Sequence, residues 1–379
     1  MKIKKRIVFV TGTRADFGKL RPLLDVVNNS DDFECHIFVT GMHTLSTYGF
    51  TYREVEKRGY KNIFVYMNQS ENSNQDIILS NTIAGLSNFV NELSPDMIVI
   101  HGDRLEALAG STVGSLRNIL VAHIEGGEVT GTRDESIRHA VSKLSHLHFV
   151  SNENAKKRLI QMGERKNHIF IIGSPDIDVM MSKNLPSIDE LRNYYEVPFE
   201  EYAILIFHPV TTELGYLEKQ IDTVIASIIH SKKNFVVIYP NNDPGSKIIL
   251  NAYKQLENNN RFRMYPSLRF EYFLTLLKHA DFIIGNSSAG ITEAGVYGVP
   301  TINIGSRQKN RTKNKNIKNV QNNQEEIQDA IEQIKGKKVD SSYDFGDGQS
   351  SKRFFGIISE DKVWDIDLQK YFVEMNNED

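Results

Sequence analysis

The stretch DMIVIHGDRLEALAG, Asp96 to Gly110, decides the fold class. Its apolar run, Met97–Ile100, predicts a buried parallel strand, and a helix is predicted to follow a few residues later. Between the two lie His101 and Asp103. Acids that follow a strand at this point lie where open α/β sheets bind ligands. The stretch therefore predicts an α/β fold with a candidate site at the end of the strand.

A second stretch, VAHIEGGEVTGTRDESIRH, Val121 to His139, repeats the arrangement. The apolar run Ile119–Val121 predicts another buried strand, and Glu125 follows it, with Asp134 beyond a glycine turn. Because adjacent parallel strands end at the same edge of a sheet, we expect the acids that follow these two strands to lie close together.

Apolar runs recur along both halves of the chain, with helical stretches between them, which predicts parallel, doubly wound sheets. The polar segment Met180–Glu201, with Pro186 and Pro198, indicates a domain boundary. The predicted strands are Ile7–Val10, Cys35–Val39, Met97–Ile100, Ile119–Val121, Leu147–Val150 and His168–Ile172, then Tyr202–Phe207, Asn234–Tyr239, Phe262–Tyr265, Asp281–Ile284 and Thr301–Ile304.

The predicted architecture is α/β, with two Rossmann-like doubly wound domains that face a cleft. Residues 1–183 are assigned to an N-terminal domain with the acids, and residues 184–350 to a C-terminal domain. Residues 351–379 form a C-terminal segment for which packing on the N-terminal domain is one option.

Composition narrows the class of partner. The 379 residues carry 45 basic and 48 acidic side chains, so the net charge of -3 does not favour nucleic acid or an acidic membrane. Cys35 is the only cysteine, which excludes an intrachain disulfide and fits a reducing cytosol. The apolar runs are too short for a signal peptide or a membrane span. We expect a cytoplasmic homo-oligomer, dimer or tetramer, with a small-molecule substrate.

The first glycine turn, in VTGTRADFGKLRPLL, opens a helix but matches neither the Walker A nor the GxGxxG spacing. A turn of this kind presents amide groups at a helix start, and Arg14 and Lys19 add positive charge for an anionic ligand. The alternative is a plain turn with a solvated basic rim.

A second candidate anion site lies in ADFIIGNSSAGITEAGVYGVP. A buried strand is predicted to end at Gly285, and Ser287 and Ser288 offer hydroxyl groups at the start of a helix, which suits a diphosphate. Glu293, predicted about one and a half turns into that helix, could accept hydrogen bonds from ribose hydroxyls. The alternative is that Ser287 is only a helix cap and Glu293 a surface acid.

Two further residues follow strands of the second domain. His208, in AILIFHPVTTE, could donate to a departing phosphate or move a proton near neutral pH, although a packed histidine is the alternative. Arg307 follows TINIG, and its fork of donors suits phosphate. The lysines after it favour a solvated loop. The histidine spacing, without cysteines, argues against zinc.

Together the motifs resemble one family, the hydrolysing UDP-N-acetylglucosamine 2-epimerases of bacterial sialic acid and capsule synthesis. The resemblance spans about Ile7 to Arg311 and rests on the ordered series GTRADFGKL, HGDRLEA, HIEGGE, GTRDES, SIRHAVSKLSH, GSPD, FHPVTTE, YPNND and GNSSAGITEA. It implies two Rossmann-like domains of the glycosyltransferase-B type. Relatives that only interconvert UDP-sugars carry GTRPE-type starts where this chain has GTRAD, which favours the hydrolysing branch.

Site roles follow from the resemblance by motif. Asp103, Glu125 and Asp134 look like the catalytic acids, and His208 looks like the histidine at the leaving group. The implied substrate is a UDP-sugar, converted by elimination and hydration, with no cofactor and no obligatory metal. The residues assigned to substrate binding are Arg14, Lys19, Asn242 of YPNND, Ser287, Ser288, Glu293 and Arg307.

Several functions stay open at this point. They are a non-hydrolysing epimerase, a hydrolysing epimerase for a UDP-2,4-diacetamido-2,4,6-trideoxyhexose of the legionaminic acid pathway, a glycosyltransferase, and a catalytically silent nucleotide-sugar sensor. Free sugar released from a UDP-sugar separates the hydrolysing branch from the others.

Overall fold

The chain divides into two compact units, each built around its own parallel sheet. The computed structural model describes residues 4–71, 73–130, 133–308, 316–334, 336–337 and 339–374. Unit 1 comprises the described residues of 1–128, 134–181 and 344–379, and unit 2 those of 129–133 and 182–343. The chain passes from unit 1 to unit 2 after residue 181 and returns to unit 1 at residue 344, so residues 344–350, assigned by sequence to the second domain, lie in unit 1.

Unit 1 contains a seven-stranded sheet in the order β3-β2-β1-β4-β5-β6-β7, with parallel pairing throughout. Its central strands bury apolar residues on both faces, as parallel strands covered by helices must. The strands are β1 Lys5–Thr11, β2 Phe33–Val39, β3 Asn62–Val65, β4 Met97–His101, β5 Leu120–Ile124, β6 Leu147–Val150 and β7 Ile169–Ile171.

Helices connect these strands, and one further helix from the C-terminal part of the chain completes the unit. The helices are α1 Arg14–Asn28, α2 Tyr52–Glu56, α3 Gln75–Leu93, α4 Leu105–Leu116, α5 Arg133–Leu144, α6 Glu153–Gln161 and α7 Pro175–Met180, together with α14 Ser350–Ile358.

Unit 2 contains a six-stranded parallel sheet in the order β10-β9-β8-β11-β12-β13. Its strands are β8 Ala203–Ile206, β9 Phe235–Ile238, β10 Phe262–Tyr265, β11 Ile283–Gly285, β12 Thr301–Ile304 and β13 Ile317–Val320. Its helices are α8 Ile188–Tyr195, α9 Leu217–His230, α10 Ser246–Tyr253, α11 Phe270–Lys278, α12 Glu293–Val296 and α13 Gln324–Ile334. The predicted fold of two Rossmann-like parallel sheets is confirmed.

Two strands lacked a sequence signal. β3 (NIFV) and β13 (IKNV) are the terminal strands of their sheets, and each exposes part of its length to solvent. A strand that needs burial on only part of its surface does not require a continuous apolar run, so neither segment stood out.

Each sheet reverses its strand order once. In unit 1 the chain adds β2 and β3 on one side of β1 and the later strands on the other side, so the loops after β1 and β4 part from one another. In unit 2 the same reversal separates β8 from β11. Such a reversal opens a crevice at the carboxyl ends of the strands, where ligands bind in folds of this kind.

The C-terminal segment belongs to unit 1. Asp178 of α7 accepts the backbone amides of Ser350 and Ser351 at 2.8 and 2.7 Å, which caps the start of α14. Phe354 packs edge-on against Phe149 of β6 at a ring distance of 4.9 Å. Among the described residues no helix is long and apolar enough to cross a membrane.

Further along the segment, Lys370 contacts the buried acid Glu164 at 2.5 Å and donates to the carbonyls of Ser142 and Ser145, near the end of α5. Burial would raise the pKa of Glu164, but hydrogen bonding with His148 and the charges around it lower that pKa to about 2. Burial also lowers the pKa of Lys370, so desolvation of the amine offsets part of the attraction.

We expect Lys370→Met to lower the free energy of unfolding by about 1–3 kcal/mol, because it removes one charged partner of a buried carboxylate. The Glu164 contribution to stability is present above its ordinary pKa of 4.5 and is lost as the pH falls through about 2. The difference between the variant and the wild type should therefore shrink on acidification. Denaturant titration across pH measures it. The control is Lys362→Met, which breaks an exposed ion pair with Glu360 and should lower the free energy of unfolding by about 0.5 kcal/mol or less. Equal losses in the two variants would contradict the prediction.

Candidate functional site

The strand ends of unit 1 bring the predicted acids Asp103 and Glu125 to one edge of the sheet, together with His101. His101 is the last residue of β4, Asp103 lies two residues further, and Glu125 directly follows β5. Glu125 has a φ of 62°, an uncommon conformation for a side chain other than glycine. Its amide donates to the Phe149 carbonyl at 2.9 Å, which extends the ladder to β6 past the end of the strand.

His101 lies between two carboxylates. Its Nδ1 is 2.8 Å from Asp16 Oδ1, and its Nε2 is 3.1 Å from Glu125 Oε2. The His101 and Asp16 side chains are each 11% exposed and that of Glu125 is 13% exposed. The Nε2 contact is close but poorly aligned for a hydrogen bond, so we treat it as an ion pair.

The two carboxylates determine the charge of the ring. Burial alone would lower the pKa of His101, but the Glu125 charge and the Asp16 hydrogen bond raise it to about 10. Burial would likewise raise the pKa of Glu125, yet the His101 charge holds it well below its ordinary value. His101 is thus an imidazolium and Glu125 a carboxylate at neutral pH.

Asp16 connects this pair to the first helix. Its Oδ2 accepts the Gly12 amide at 3.0 Å, and its own amide donates to Thr13, the N-cap of α1, at 3.0 Å. Within the turn predicted to offer amide groups to an anion, the Gly12 amide is therefore bonded to Asp16. A Cβ at Gly12 would lie 2.5 Å from the buried Glu106 side chain, which explains the glycine.

Asp103 is held by Arg138 of α5 through a short charged hydrogen bond, and Arg138 also donates to the Glu128 carbonyl at 3.2 Å. Asp134 lies four residues before Arg138 on the same helix face. The structure therefore brings Asp134 onto the helix that anchors Asp103. Gly131, expected to shape the turn before Asp134, lies outside the described residues.

The loop after β4 has a second support, His123 of β5. Its Nε2–H donates to the Gly102 carbonyl at 2.8 Å, and its Nδ1 accepts from Ser142 Oγ at 3.1 Å. Burial lowers the pKa of His123 to about 3, so the ring is neutral. Gly102 has a φ of 70°, which suits a glycine in the tight turn before Asp103.

The cations predicted near the first turn contact acids of their own unit. Arg14 Nη2 lies 2.6 Å from Glu54, and Lys19 Nζ lies 3.1 Å from the buried Asp176. Lys19 is also close enough to lower the pKa of Glu125. Binding of an anion by either cation would thus compete with these contacts.

In unit 2, His208 lies two residues after the end of β8 and is fixed by Asn286, which directly follows β11. The His208 amide donates to Asn286 Oδ1 at 2.7 Å, and Asn286 Nδ2 donates to the His208 carbonyl at 2.8 Å. The Asn241 amide donates to His208 Nδ1 at 3.3 Å, which leaves the proton of the neutral imidazole on Nε2. Asn242 is the next residue in that loop.

The serine turn differs from the predicted helix. Ser287 caps a short 3-10 turn, Ser288–Gly290, by accepting the Ala289 amide at 3.3 Å. Glu293 begins the separate short helix α12 instead of lying one and a half turns into a longer one. It is 2% exposed, so it is not a surface acid, and it accepts a short hydrogen bond from Thr292.

Arg307 lies three residues after the end of β12, and Gln308 follows it. Arg307 Nη1 and Gln308 Nε2 both donate to the Asn286 carbonyl at 3.2 Å. Arg307 thus lies at the same sheet edge as Ser287. The basic residues at 309–315, predicted as part of a solvated loop, lie outside the described residues, and Lys318 of the same predicted loop lies instead in β13.

Sequence reasoning missed the residues that hold these groups in place. Asn286 stands in the motif GNSSAGITEA and Arg138 in SIRHAVSKLSH, but the sequence assigned no role to either residue. The signal for Asn286 was its position directly after a strand, where an amide can pair with the neighbouring strand end. The adjacent Gly285 is required because a Cβ there would lie 1.9 Å from the Ile206 carbonyl oxygen.

A doubly wound α/β protein with fixed acids at the strand ends of one unit is the class that the fold and the site define. A family model for UDP-N-acetylglucosamine 2-epimerase matches residues 25–359. A UDP-N-acetylglucosamine 2-epimerase of Neisseria meningitidis serogroup B is 49% identical over 98% of this chain and 100% of its own length. The chain belongs to the UDP-N-acetylglucosamine 2-epimerase family.

Two further similarities bear on subtype and fold. A UDP-N,N'-diacetylbacillosamine 2-epimerase (hydrolyzing) of Legionella pneumophila is 33% identical over 93% of this chain and 95% of its own length. The crystal structure of a UDP-GlcNAc 2-epimerase of Methanocaldococcus jannaschii, in complex with UDP-GlcNAc and UDP, matches with a TM-score of 0.80 at 22% identity. That match covers 93% of this chain and 99% of the other, and it shows the shared fold.

We expect Asn286→Ala to lower the free energy of unfolding by about 2–4 kcal/mol, because two buried backbone groups of His208 lose their partners. The His208 amide should also exchange its hydrogen faster. Denaturant titration and hydrogen exchange measure both effects. Asn234→Ala removes one exposed hydrogen bond to the Glu201 carbonyl and serves as the control, with a loss of about 1 kcal/mol or less. Unchanged stability and protection in Asn286→Ala would show that the bridge is not made.

Proposed function

We propose that this chain is a hydrolysing epimerase that converts UDP-N-acetylglucosamine to N-acetylmannosamine and UDP. The observation that carries the proposal is a pair of acids at adjacent strand ends, each fixed by a buried cation: Asp103 by Arg138, and Glu125 by His101. Fixed carboxylates at a ligand edge suit repeated proton transfer. The family match and the motif series from GTRAD to GNSSAG support the substrate class.

The acids are needed because the C2 proton of an N-acetylhexosamine is not adjacent to a carbonyl group. In the first step the bond between C1 and the phosphate oxygen breaks, and its electron pair leaves with UDP. A carboxylate takes the C2 proton, and a C1–C2 double bond forms, giving 2-acetamidoglucal. In the second step water adds its oxygen to C1, and a proton returns to C2 from the opposite face. We assign these proton transfers to Asp103, Glu125 and Asp134.

The nucleotide side of the reaction is assigned to unit 2. The leaving diphosphate needs donors where its negative charge develops. His208 has its ring proton on Nε2, and Arg307 and the serine turn at Ser287 and Ser288 lie at the strand ends of the same sheet. Glu293 and Asn242 complete the proposed UDP-binding set, and Arg14 and Lys19 of unit 1 add positive charge.

The remaining alternatives differ in the UDP-sugar that the enzyme uses and in the product that it releases. The Neisseria relative is named for UDP-N-acetylglucosamine, and the Legionella relative is named for a diacetamido sugar and as hydrolyzing. The higher identity to the first favours UDP-N-acetylglucosamine, which also fits the proposed place in sialic acid and capsule synthesis. Incubation with each UDP-sugar, followed by product identification, decides the question. A UDP-N-acetylmannosamine product without free sugar would indicate the non-hydrolysing reaction, and binding without turnover a sensor.

Charge removal at the proposed catalytic acids should affect kcat, whereas truncation of the proposed UDP-binding residues should affect the affinity for UDP. We expect Asp103→Asn, Glu125→Gln or Asp134→Asn to lower kcat by about 10²- to 10⁴-fold with UDP affinity kept, because these acids move protons. Arg307→Ala should weaken UDP binding about ten- to a hundredfold, through loss of a charged hydrogen bond. The two sets are each other's controls in steady-state kinetics and calorimetry. Near-normal turnover in Asp103→Asn, with thermal unfolding showing an intact fold, would remove its assigned role.

Isotopes report the bond that breaks. In ¹⁸O water the released sugar should carry the label on C1, and UDP should carry none. In D₂O the product should carry deuterium at C2. Unlabelled N-acetylmannosamine kept in ¹⁸O water for the same time measures exchange without enzyme. Label on the UDP phosphate would instead indicate attack on phosphorus, and retention of the original C2 hydrogen would exclude the elimination.

A further inference from the structure

The buried His101 takes part in none of the proton transfers assigned above, although both of its ring nitrogens face carboxylates. Nδ1 is 2.8 Å from Asp16, and Nε2 is 3.1 Å from Glu125. A neutral imidazole carries one N–H and one lone pair, so one of the two contacts would set a lone pair against a carboxylate oxygen. When both carboxylates are ionised, only the imidazolium makes both contacts attractive. The geometry therefore favours a positive charge at this position.

We propose that His101 is a positioning residue of the reaction: clamped by Asp16, its imidazolium aims the Glu125 carboxylate and keeps it ionised, so that Glu125 enters turnover as a base. The inference rests on the function proposed above. The base is needed in either half of the reaction, to take the C2 proton in the elimination or a proton of the attacking water in the hydration. Both steps require an ionised carboxylate at the start.

The clamp is rigid on the Asp16 side. Asp16 lies in the first turn of α1, where a carboxylate is stabilised by the helix dipole, and its second oxygen accepts the Gly12 amide at 3.0 Å. His101 itself is the last residue of β4, in the centre of the sheet. The helix α1 and the strand β4 therefore determine the direction of the His101 ring independently of Glu125.

Glu125 depends on this support because its own backbone is a turn. It follows β5 with a φ of 62°, and its other side-chain partner is the Ser174 hydroxyl, through a short hydrogen bond. The hydroxyl is neutral, so His101 is the charged group in direct contact. The other ionisable groups near the cluster are Lys19 of α1, Asp176 of α7, His43 after β2 and His123 of β5.

Two substitutions of His101 separate charge from contact. His101→Gln keeps a neutral amide directed towards Glu125 but removes the charge, whereas His101→Asn is too short to reach Glu125. In His101→Gln we expect the acidic limb of the kcat profile to move up by about one pH unit or more, so that kcat measured on that limb falls about tenfold for each unit of the shift. KM should change by about threefold or less. His101→Asn should lose more of kcat at every pH.

The matched control is His36→Gln, which alters another histidine–glutamate pair of unit 1, with His36 Nε2 3.0 Å from Glu34 on β2. It should leave kcat and the pH profile unchanged. Asp16→Asn tests the clamp without altering the ring. With one carboxylate lost, the pKa of His101 should fall by about one unit or more.

Nitrogen NMR of the histidine rings gives a readout that does not depend on activity. In the wild type the His101 signals should remain those of an imidazolium to about pH 9, since its pKa is raised to about 10. A neutral ring at pH 7.5 would overturn the proposal. The proposal would also be overturned if His101 is an imidazolium in the wild type but the folded His101→Gln variant keeps the same kcat and the same acidic limb. If the wild type releases no sugar from any UDP-sugar, the proposed function fails and the catalytic role fails with it, while the NMR still decides whether the charged cluster exists.

Discussion

The single reversal of strand order in each sheet is the constraint on which the candidate site depends. It separates the loops after β1 and β4 in unit 1, and those after β8 and β11 in unit 2. In both units a side chain at the end of one strand bonds to the segment that follows the other. His101 contacts Asp16 across the first reversal, and Asn286 contacts His208 across the second. Each contact thereby links the two segments that border the crevice of its unit.

The two bridges have different chemistry. In unit 1 the bridge is charged, and the His101 imidazolium lowers the pKa of Asp16 and of Glu125 in spite of their burial, while Arg138 pairs with Asp103. In unit 2 the bridge is a neutral amide, and it holds a histidine whose ring proton is on Nε2. A set of fixed carboxylates suits proton transfer, and neutral or cationic donors suit a departing diphosphate. This division agrees with the roles proposed for the two units.

Most of the fold was predictable from apolar periodicity, because central parallel strands must be apolar on both faces. β3 and β13 were missed since terminal strands escape that requirement. Strand-end placement located Asp103 and Glu125 at one edge, but it could not reveal Arg138 or His101 as their partners. Those contacts depend on side-chain directions from separate elements, which spacing along the chain does not encode. The same limit explains why the helix at Glu293 was predicted too long: no residue type marks the change from a 3-10 turn to a new helix.

The charge states of Asp16, His101 and Glu125 depend on one another. Two carboxylates face one ring from opposite sides, in a region almost closed to water. Without the positive charge between them, mutual repulsion and desolvation would both favour protonation of one acid. The proton that His101 carries is therefore the reason that neither carboxylate needs one. Asp16 stands at the last position of GTRAD, the motif whose resemblance favours the hydrolysing branch, and this residue of the motif supports Glu125 through its contact with His101.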